Sequence, residues 1–341
     1  MNDTFLQACR GERTAYTPVW FMRQAGRYLP QYQKIRGKVS FLELCKSPEL
    51  AAEVTLQPID LFGFDAAILF SDILIPMESM NLALEFHEGK GPIFAHPVRS
   101  QKAVDDLVVP VPEEAVPFVL ETIRLLRSQL KVPLIGFAGA PFTLATYLIE
   151  GGSSKVFLHT KKMMFQEPKL YHNLLAKITA CTSAYLQAQA RAGAQALQIF
   201  DSWVGILAPC DYEEFALPYV RSIISDLRAV TDVPIIYFAN NGATLTKLTT
   251  TVGADVLGFD WRLPIGDAIA RSGQHAVQGN IDPLALFLPK ERLEERIKSM
   301  LTEAREARGY IFNLGHGIQP ETPPEQVRIA VDAVHRFSGK P

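Results

Sequence analysis

Residues 18–30 read Pro18-Val-Trp-Phe-Met-Arg-Gln-Ala-Gly-Arg-Tyr-Leu-Pro30, an apolar run that turns abruptly polar. The apolar part, 18–22, is typical of a buried strand. Arg23 and Arg27 follow four residues apart, so their guanidinium groups can reach one another. Two neighbouring cations repel each other, and arginine forms bidentate hydrogen bonds with carboxylate or phosphate groups. The stretch therefore indicates a strand followed by a clamp for an anion, and the alternative is a solvated basic turn.

Seven further apolar runs of strand length follow, and helical patterns separate most of them. With the first run they predict strands at 18–22, 66–70, 133–138, 196–200, 234–238, 255–259, 276–279 and 310–314. Helices are predicted at 4–10, 48–62, 112–130, 155–166, 168–192, 284–307 and 324–337. The segment 73–109 contains glycines and prolines at 89–92 and predicts hairpin-like excursions.

Eight strands that alternate with helices, without a second composition regime, predict the fold class α/β. The expected architecture is one domain over residues 1–341, a single (β/α)8 TIM barrel. A doubly wound sheet is the alternative. It would carry a glycine-rich phosphate loop after the first strand, where this chain has Arg-Gln-Ala-Gly-Arg at 23–27.

In such a barrel the active site lies at the C-terminal ends of the strands. This rule selects the polar residues that follow the predicted strands: Arg23, Arg27, Asp72, Tyr147, Ser202, Asn240, Arg262, Asp282 and His316. Asp72 follows five apolar residues and a serine, so we expect a partly desolvated carboxylate. Its alternative roles are to stabilise developing positive charge, to cap the next segment or to pair with Arg23.

The other candidates also have two readings each. Tyr147 is either a site residue or a half-buried core tyrosine. Ser202 has no obvious His–Asp partner, so a hydrogen bond or a cap is expected rather than a nucleophile. His316 stands between two glycines, which lets the backbone approach a ligand and leaves the imidazole exposed; the alternative is a structural histidine. Asp260 and Asp282 are predicted to cap helices.

Composition excludes several classes of partner. The 341 residues carry a net charge of −2 and have a pI of about 6.4, so no global basic field holds nucleic acid. No apolar run has the length of a membrane span, and no apolar segment of a signal peptide follows Met1. The four cysteines form no Cys-x-x-Cys pair, and the histidines show no metal spacing. These features predict a cytoplasmic protein with reduced thiols and no metal site.

The residues resemble a known family. The stretch 18–32 closely resembles the N-terminal signature of the uroporphyrinogen decarboxylase family. Further motifs resemble those of the family in the same order: Phe70-Ser-Asp-Ile-Leu74, Gly139-Ala-Pro-Phe-Thr143 with Thr146-Tyr147, Gln198-Ile-Phe-Asp-Ser202, Gly279-Asn-Ile-Asp-Pro283 and Asn313-Leu-Gly-His-Gly317. The resemblance spans essentially the whole chain.

The resemblance implies a homodimeric (β/α)8 barrel in the cytoplasm that removes CO2 from the four acetate arms of uroporphyrinogen III. The product would be coproporphyrinogen III, on the route to haem and chlorophyll, without a metal or an organic cofactor. Asp72 would bind the pyrrole N–H groups. The remaining substrate-binding residues carried over are Arg23 and Arg27 on carboxylates, the intervening Gln24, Ala25 and Gly26, and Tyr147, Ser202 and His316 on the acetate and propionate arms.

The chemistry fits these residue types. The substrate carries eight carboxylates, so cationic side chains are needed at the mouth of the site. A pyrrole protonated at carbon becomes a cationic electron sink, which replaces the cofactor that most decarboxylases use. A desolvated Asp72 carboxylate would stabilise that cation. We expect Arg23, or a water that it holds, to deliver the proton, with Tyr147 as the rival donor.

Two other functions compete with this one. A methyltransferase that moves methyl groups between corrinoids and thiols on a similar barrel would need a zinc-bound thiolate. Cys210, after the fourth strand, is the cysteine nearest to such a position. A non-catalytic tetrapyrrole carrier would need the arginines but would have no need of a buried Asp72.

Overall fold

A curled parallel sheet of seven strands forms the centre of the computed structural model, which describes residues 2–87 and 91–339. The strands in chain order are β1 (Ala67–Ile68), β2 (Leu84–His87), β3 (Gly91–Phe94), β4 (Leu134–Gly139), β5 (Ala196–Asp201), β6 (Ile235–Ala239), β7 (Val256–Gly258), β8 (Ala276–Ile281) and β9 (Tyr310–Leu314). The sheet has the order β1-β4-β5-β6-β7-β8-β9, and every neighbouring pair is parallel. Seven of the eight predicted strands thus overlap strands of the sheet, in the predicted order.

The first predicted strand, 18–22, is wrong, since only Val19 forms a β-bridge, to Phe312 of β9. The Phe312 N–H donates to the Pro18 carbonyl at 2.9 Å. On the other side, the Asp65 N–H donates to the Val19 carbonyl at 2.9 Å, and the Asp65 carboxylate accepts from the Val19 N–H at 2.9 Å. The segment therefore bonds near both edges of the sheet. It does so through one bridge and a side chain, which is why no eighth strand forms.

The strands are buried on both faces, as expected for a parallel sheet covered by helices. All six residues of β4 and all six of β8 are buried. The polar groups in this interior bond to one another: Trp20 Nε1 donates to Gln278 Oε1 at 3.0 Å, and Gln278 Nε2 donates to Gln198 Oε1 at 3.1 Å. This chain of contacts joins the segment after Pro18 to β8 and β5 through the core.

Helices occupy most of the chain between the strands, and proline or serine begins many of them. They are α1 (Thr4–Cys9), α2 (Pro30–Arg36), α3 (Phe41–Lys46), α4 (Pro48–Phe62), α5 (Ile75–Glu78), α6 (Gln101–Asp105), α7 (Pro112–Ala115), α8 (Pro117–Gln129), α9 (Pro141–Glu150), α10 (Leu158–Gln166), α11 (Pro168–Ala192), α12 (Pro209–Phe215), α13 (Leu217–Arg228), α14 (Thr246–Thr249), α15 (Ile265–Ser272), α16 (Lys290–Glu303) and α17 (Pro324–Ser338). Short 3-10 turns lie at Val204–Ile206, Ala243–Leu245, Pro283–Phe287 and Ala304–Glu306.

The sequence prediction holds well for some helices and fails at Pro117 and Pro289. The helices at 48–62 and 168–192 have the predicted bounds, and Gly63 ends the first in a left-handed conformation. The single helix predicted at 112–130 is divided before Pro117, and the one predicted at 284–307 starts only after Pro289. Proline has no N–H to donate to the preceding turn, so it begins a helix more readily than it continues one.

The excursion predicted in 73–109 is confirmed as an antiparallel hairpin of β2 and β3. Residues 88–90, part of the predicted glycine turn, lie outside the described residues. In the described ranges no helix is long and apolar enough to cross a bilayer.

Candidate active site

The carboxyl ends of the seven parallel strands lie at one edge of the sheet, and most of the predicted site residues follow those ends. The loop 23–27 joins them there through β9. The Met22 N–H donates to Asn313 Oδ1 at 3.1 Å, and the Ile318 N–H donates to the Met22 carbonyl at 3.0 Å. The predicted clamp is thus fixed against the segment that carries His316.

Arg23 adopts a left-handed backbone conformation, with φ of 61°. Its side chain lies over Gly317, where a Cβ atom would come within 2.3 Å of Arg23 Cδ. The residue is exposed, and no carboxylate among the described residues lies within 4.0 Å of its guanidinium nitrogens. Arg23 is therefore a positioned cation without an ionic partner in this part of the chain.

Gln24 differs from its neighbours because it is fully buried. Its Oε1 accepts from the Phe21 N–H at 3.2 Å, and its Nε2 donates to the Ala66 carbonyl at 3.1 Å. The Tyr28 hydroxyl donates to the Gln24 carbonyl at 2.8 Å. These bonds shape the turn and connect it to the start of β1, so the amide of Gln24 already has partners within the protein.

The rest of the loop faces outward. Ala25 and Gly26 are half-buried, and Arg27 is exposed. Like Arg23, Arg27 has no carboxylate within ion-pair distance in the described ranges; only its backbone carbonyl has a side-chain partner, Gln33 Nε2 at 2.5 Å. Two unpaired cations on one turn are what an anion clamp requires.

Asp72 follows β1 and is half-buried. Its Oδ1 accepts from the Leu74 N–H at 2.9 Å, while Oδ2 accepts no hydrogen bond from the described residues. Burial raises the pKa of this carboxyl, and the Leu74 N–H and the charge of Arg23 oppose that rise. The expected desolvation is confirmed. Asp72 makes a local turn bond with one oxygen and keeps the other available, and it has no ion pair with Arg23.

Tyr147 lies on α9 and is half-buried, with its ring centroid 6.1 Å from that of Trp203. Burial raises the pKa of its hydroxyl; a hydrogen bond with Trp203 lowers it, the charge of Asp72 raises it, and that of Arg23 lowers it. Arg23, Asp72 and Tyr147 thus act on one another electrostatically, although they come from three separate elements. The phenol remains protonated at neutral pH.

His316 follows β9 and is half-buried rather than exposed as predicted. Burial, together with the positive charges of Arg23 and Arg262, lowers the pKa of its imidazole to about 4, whereas the charge of Asp260 opposes this shift. The imidazole ring meets Phe238 of β6 edge to face, at 6.5 Å between centroids. His316 is therefore neutral at pH 7, with one nitrogen that donates and one that accepts.

The two glycines that flank His316 were expected to let the backbone approach a ligand. A Cβ at Gly317 would instead meet Arg23, and a Cβ at Gly315 would lie 2.5 Å from the backbone nitrogen of Trp261. Within the protein these glycines make room for two neighbouring loops. They bring the loops after β7 and β9 and the clamp together around His316.

Ser202 follows β5 and is half-buried. Its carbonyl accepts from Asn240 Nδ2 at 3.0 Å, which links the ends of β5 and β6. Within the described residues, its hydroxyl forms no hydrogen bond with Asp72 or Arg23. Its place in the site is given by the strand end alone.

Sequence reasoning missed the network beside Ser202. The fully buried Asp201 accepts from Thr143 Oγ1 at 2.7 Å and from the Tyr237 hydroxyl at 2.8 Å. Burial raises its pKa to about 6, and both hydrogen bonds oppose the rise. Thr143 Oγ1 also accepts from the backbone N–H of Trp203 at 3.1 Å. The network therefore fixes the turn that contains Trp203, whose indole packs on Tyr147. An acidic residue at the end of a buried strand was the signal for it.

The remaining acidic candidates differ in role. Asp282 caps the turn that follows β8, since its Oδ1 accepts from the Leu284 N–H at 2.9 Å, as predicted. Asp260 was also predicted as a cap, and this is wrong. Its Oδ1 accepts from the backbone N–H of Arg262 at 2.9 Å and from Arg262 Nη1 at 3.2 Å. It orients an arginine at the end of β7 instead of starting a helix.

Within residues 2–87 and 91–339, no three His, Cys, Asp or Glu side chains are grouped so that they could hold a metal ion. Cys210 is exposed, and its Sγ lies 3.9 Å from Oδ1 of Asp211. The site combines unpaired arginines, a desolvated carboxylate with one available oxygen, a protonated phenol and a neutral imidazole. This set can bind a polyanion and stabilise a cation within it.

Comparisons with known proteins place this arrangement in a family. The profile of the uroporphyrinogen decarboxylase (URO-D) family matches residues 1–337. The chain is 68% identical over 340 residues to a uroporphyrinogen decarboxylase of Desulfotalea psychrophila, with 100% of both chains covered. It is 53% identical to one of Carboxydothermus hydrogenoformans, covering 99% of this chain and 97% of the relative.

A solved structure of a methyltransferase from Methanosarcina mazei has a similar fold, with a TM-score of 0.83 and 20% identity over 98% of each chain. A B12-independent methionine synthase from Shewanella is more distant, with a TM-score of 0.60 and 12% identity over 88% of this chain and 91% of that one. These two likenesses concern the fold alone. The full-length match of the profile and of the relatives decides the family: this chain belongs to the uroporphyrinogen decarboxylase family.

Proposed function

We propose that the protein decarboxylates the four acetate arms of uroporphyrinogen III to methyl groups, giving coproporphyrinogen III and CO2 in tetrapyrrole biosynthesis. The observation that carries the proposal is Asp72. Its desolvated carboxylate keeps Oδ2 available within electrostatic range of Arg23, and neither Arg23 nor Arg27 has an ionic partner in the described ranges. A carrier would need the cations, but it would gain nothing from a desolvated acid.

The proposed chemistry needs no metal and no organic cofactor. Protonation of the pyrrole α-carbon next to the carbon that bears the acetate gives an iminium-like cation conjugated to that carbon. The bond between the acetate CH2 and its carboxylate then breaks, CO2 leaves, and the electron pair neutralises the ring. A second proton converts the exocyclic methylene to methyl and returns the cation, which loses the ring proton. Each arm therefore takes up one net proton and releases one CO2.

Asp72 acts on the charge that appears during this sequence. The ring N–H becomes acidic and cationic after protonation at carbon, and a carboxylate in a desolvated site stabilises such a charge more strongly than water does. The four N–H groups of the macrocycle point to its centre. One carboxylate there would serve each ring in turn as the substrate reorients.

Arg23 and Arg27 would bind carboxylate arms, with the loop atoms of Gln24, Ala25 and Gly26 shaping the clamp. Each charge-assisted hydrogen bond is worth about 1.5–3 kcal/mol. His316, as a neutral imidazole, would donate to an arm without adding a second charge next to Arg23. Ser202 and Tyr147 would contact further arms from the ends of β5 and α9.

The proton donor that we propose is Arg23 or a water that it holds, with Tyr147 as the rival. Arginine is a poor acid in bulk water, since its pKa exceeds about 12. A water held between the guanidinium and an acetate arm would be the more favourable source. The raised pKa of Tyr147 makes its phenol a weak acid as well, so neither group has a clear advantage from acidity alone.

The architecture proposed for the family member is a closed (β/α)8 barrel. The hydrogen bonds of the 18–22 segment to Phe312 and Asp65 support a closure of the sheet at that point. A homodimer and a cytoplasmic location, both implied by the resemblance, belong to the same proposal, as does the destination of the product in haem or chlorophyll synthesis.

The proposal is tested by incubating chelator-treated protein anaerobically with uroporphyrinogen III and separating the oxidised products by chromatography. Stepwise loss of four carboxyls that ends at coproporphyrin supports it. Tight binding of the macrocycle without turnover would favour the carrier. Neither binding nor turnover, followed by methyl transfer once zinc and a corrinoid are added, would favour the methyltransferase.

A further inference from the structure

The end of β7 is among the strand ends that have no role in the function proposed above. Arg262 follows β7, and its neighbour Trp261 packs against the glycine that precedes His316, as the 2.5 Å approach at Gly315 shows. The positive charge of Arg262 lowers the pKa of His316, as that of Arg23 does. A third arginine therefore lies at the end of β7, within electrostatic range of His316.

The guanidinium of Arg262 is held in position from two directions. Its Cζ atom lies 4.2 Å from the centroid of the Trp261 ring, a stacked cation–π contact. Its Nη1 donates to Asp260 Oδ1 at 3.2 Å, and the same oxygen accepts from the Arg262 backbone N–H at 2.9 Å. The backbone N–H of Asn241 donates to the other oxygen of Asp260. Asp260 is thus itself fixed by two backbone groups.

The exposure of the two partners is unequal. The Asp260 side chain is 3% exposed and that of Arg262 is 45% exposed. In an ion pair at the surface both groups would be exposed to water, and the pair would contribute little to stability. Here the buried carboxylate supports a guanidinium group whose side chain remains partly exposed to solvent. A guanidinium held flat on an indole loses less entropy when it binds a planar carboxylate.

We propose that Arg262, oriented by Asp260 and Trp261, is a third carboxylate-binding arginine of this site and determines affinity for the anionic arms of the substrate. This inference rests on the proposed function, since it adds a residue that binds a carboxylate arm of the same tetrapyrrole. The arms that the reaction leaves intact are present at every one of its steps. A cation that holds such an arm would stabilise substrate and transition state equally, so it acts on KM and not on kcat.

The test compares Arg262→Gln with Arg228→Gln. Arg228 also forms an ion pair with an aspartate of the same strand region, since its Nη2 bonds to Asp255, the residue before β7. That pair lies at the amino end of the strand, away from the site, so it controls for the loss of a charge and of an ion pair. Steady-state decarboxylation is measured for both at two salt concentrations.

Arg262→Gln should raise KM for uroporphyrinogen about ten- to a hundredfold with kcat within about twofold, and its KM should depend less on salt than that of the unmodified protein. Arg228→Gln should retain the original KM. If Arg262→Gln does not fold, Arg262→Met replaces it, because methionine keeps an apolar side chain packed on the indole. The same rise in KM is expected for Arg262→Met.

A KM within twofold of the original in the Arg262 variants, or an equal rise in Arg228→Gln, would overturn the inference. Absence of turnover in the unmodified protein would instead overturn the proposed function, so the two failures are distinct.

Discussion

The side chain of Arg23 lies across Gly317, close enough that a Cβ atom at position 317 would come within 2.3 Å of Arg23 Cδ. This contact brings a loop near the N-terminus of the chain against the loop that follows β9. It places the first cation of the clamp beside His316, whose pKa it lowers together with burial. The absence of a side chain at 317 is therefore a condition for the position of Arg23.

Gly317→Ala should displace Arg23 while the protein stays folded. A shift of about 1 Å in a positioning residue can cost about a hundredfold in rate, so we expect kcat/KM to fall by that order. Gly266→Ala is the matched control. A Cβ there would make only an ordinary contact, 3.5 Å from Glu303 Oε2, and it lies in α15. Full activity in Gly317→Ala would show that the position of Arg23 is unimportant.

Asp72→Asn should bind the product coproporphyrinogen with near-original affinity and lose most of its turnover. The amide keeps the oxygen that accepts from Leu74 but loses the negative charge that stabilises the pyrrole cation. Asp282→Asn is the control, because Asp282 makes the same local bond, to the Leu284 N–H at 2.9 Å, and has only a capping role. Kinetics and a product titration together measure both effects. A fully active Asp72→Asn would contradict the electrostatic argument.

Tyr147→Phe separates the two proton donors. The ring contact with Trp203 survives the substitution, so only the hydroxyl is lost. If Arg23 or its water delivers the proton, kcat should fall less than about tenfold, since general acids contribute about a hundredfold or more. A larger loss of kcat at unchanged KM would identify the tyrosine as the acid.

The titration of His316 predicts how stability depends on pH. Its pKa is about 4 in the folded protein, against an ordinary value of 6.5. Between these values the unfolded chain binds a proton that the folded chain does not, so the free energy of unfolding falls as the pH drops through 6.5 towards 4. The loss between pH 7 and pH 5 is about 2 kcal/mol.

His316→Gln should lack this share of the acid destabilisation. Urea unfolding gives the free energy of unfolding of both proteins at pH 7 and at pH 5. The loss between the two pH values should be smaller in His316→Gln than in the unmodified protein. Equal losses in the two proteins would mean that His316 is not held neutral by its surroundings.

Much of the fold could be predicted from the sequence because buried parallel strands are continuous apolar runs with polar ends. The segment 18–22 has the same composition, yet it pairs through Val19 and the Asp65 carboxylate, a contact 46 residues distant in sequence. No local sequence pattern predicts a hydrogen bond between these two residues. Pro117 and Pro289 interrupt helices that the apolar pattern predicts to be continuous.

The candidate site was predictable for the same reason, and its gaps have physical causes. Strand ends indicate Asp72, His316 and Arg262, whereas the bonds of the buried Gln24 amide to Phe21 and Ala66 follow from no local pattern. The glycines around His316 serve side chains from distant loops, Arg23 and Trp261. Contacts of this kind depend on tertiary packing, which sequence spacing does not contain.

The most direct test of the central claim is the reaction of chelator-treated protein with uroporphyrinogen III in D2O, followed by NMR of the four new methyl groups. Cofactor-free protonation and decarboxylation predicts four CO2 per macrocycle and one solvent deuterium in each new methyl, with both signals almost absent in Asp72→Asn. Unchanged acetate arms, or methyl groups that form only after a metal or an organic cofactor is added, would contradict it.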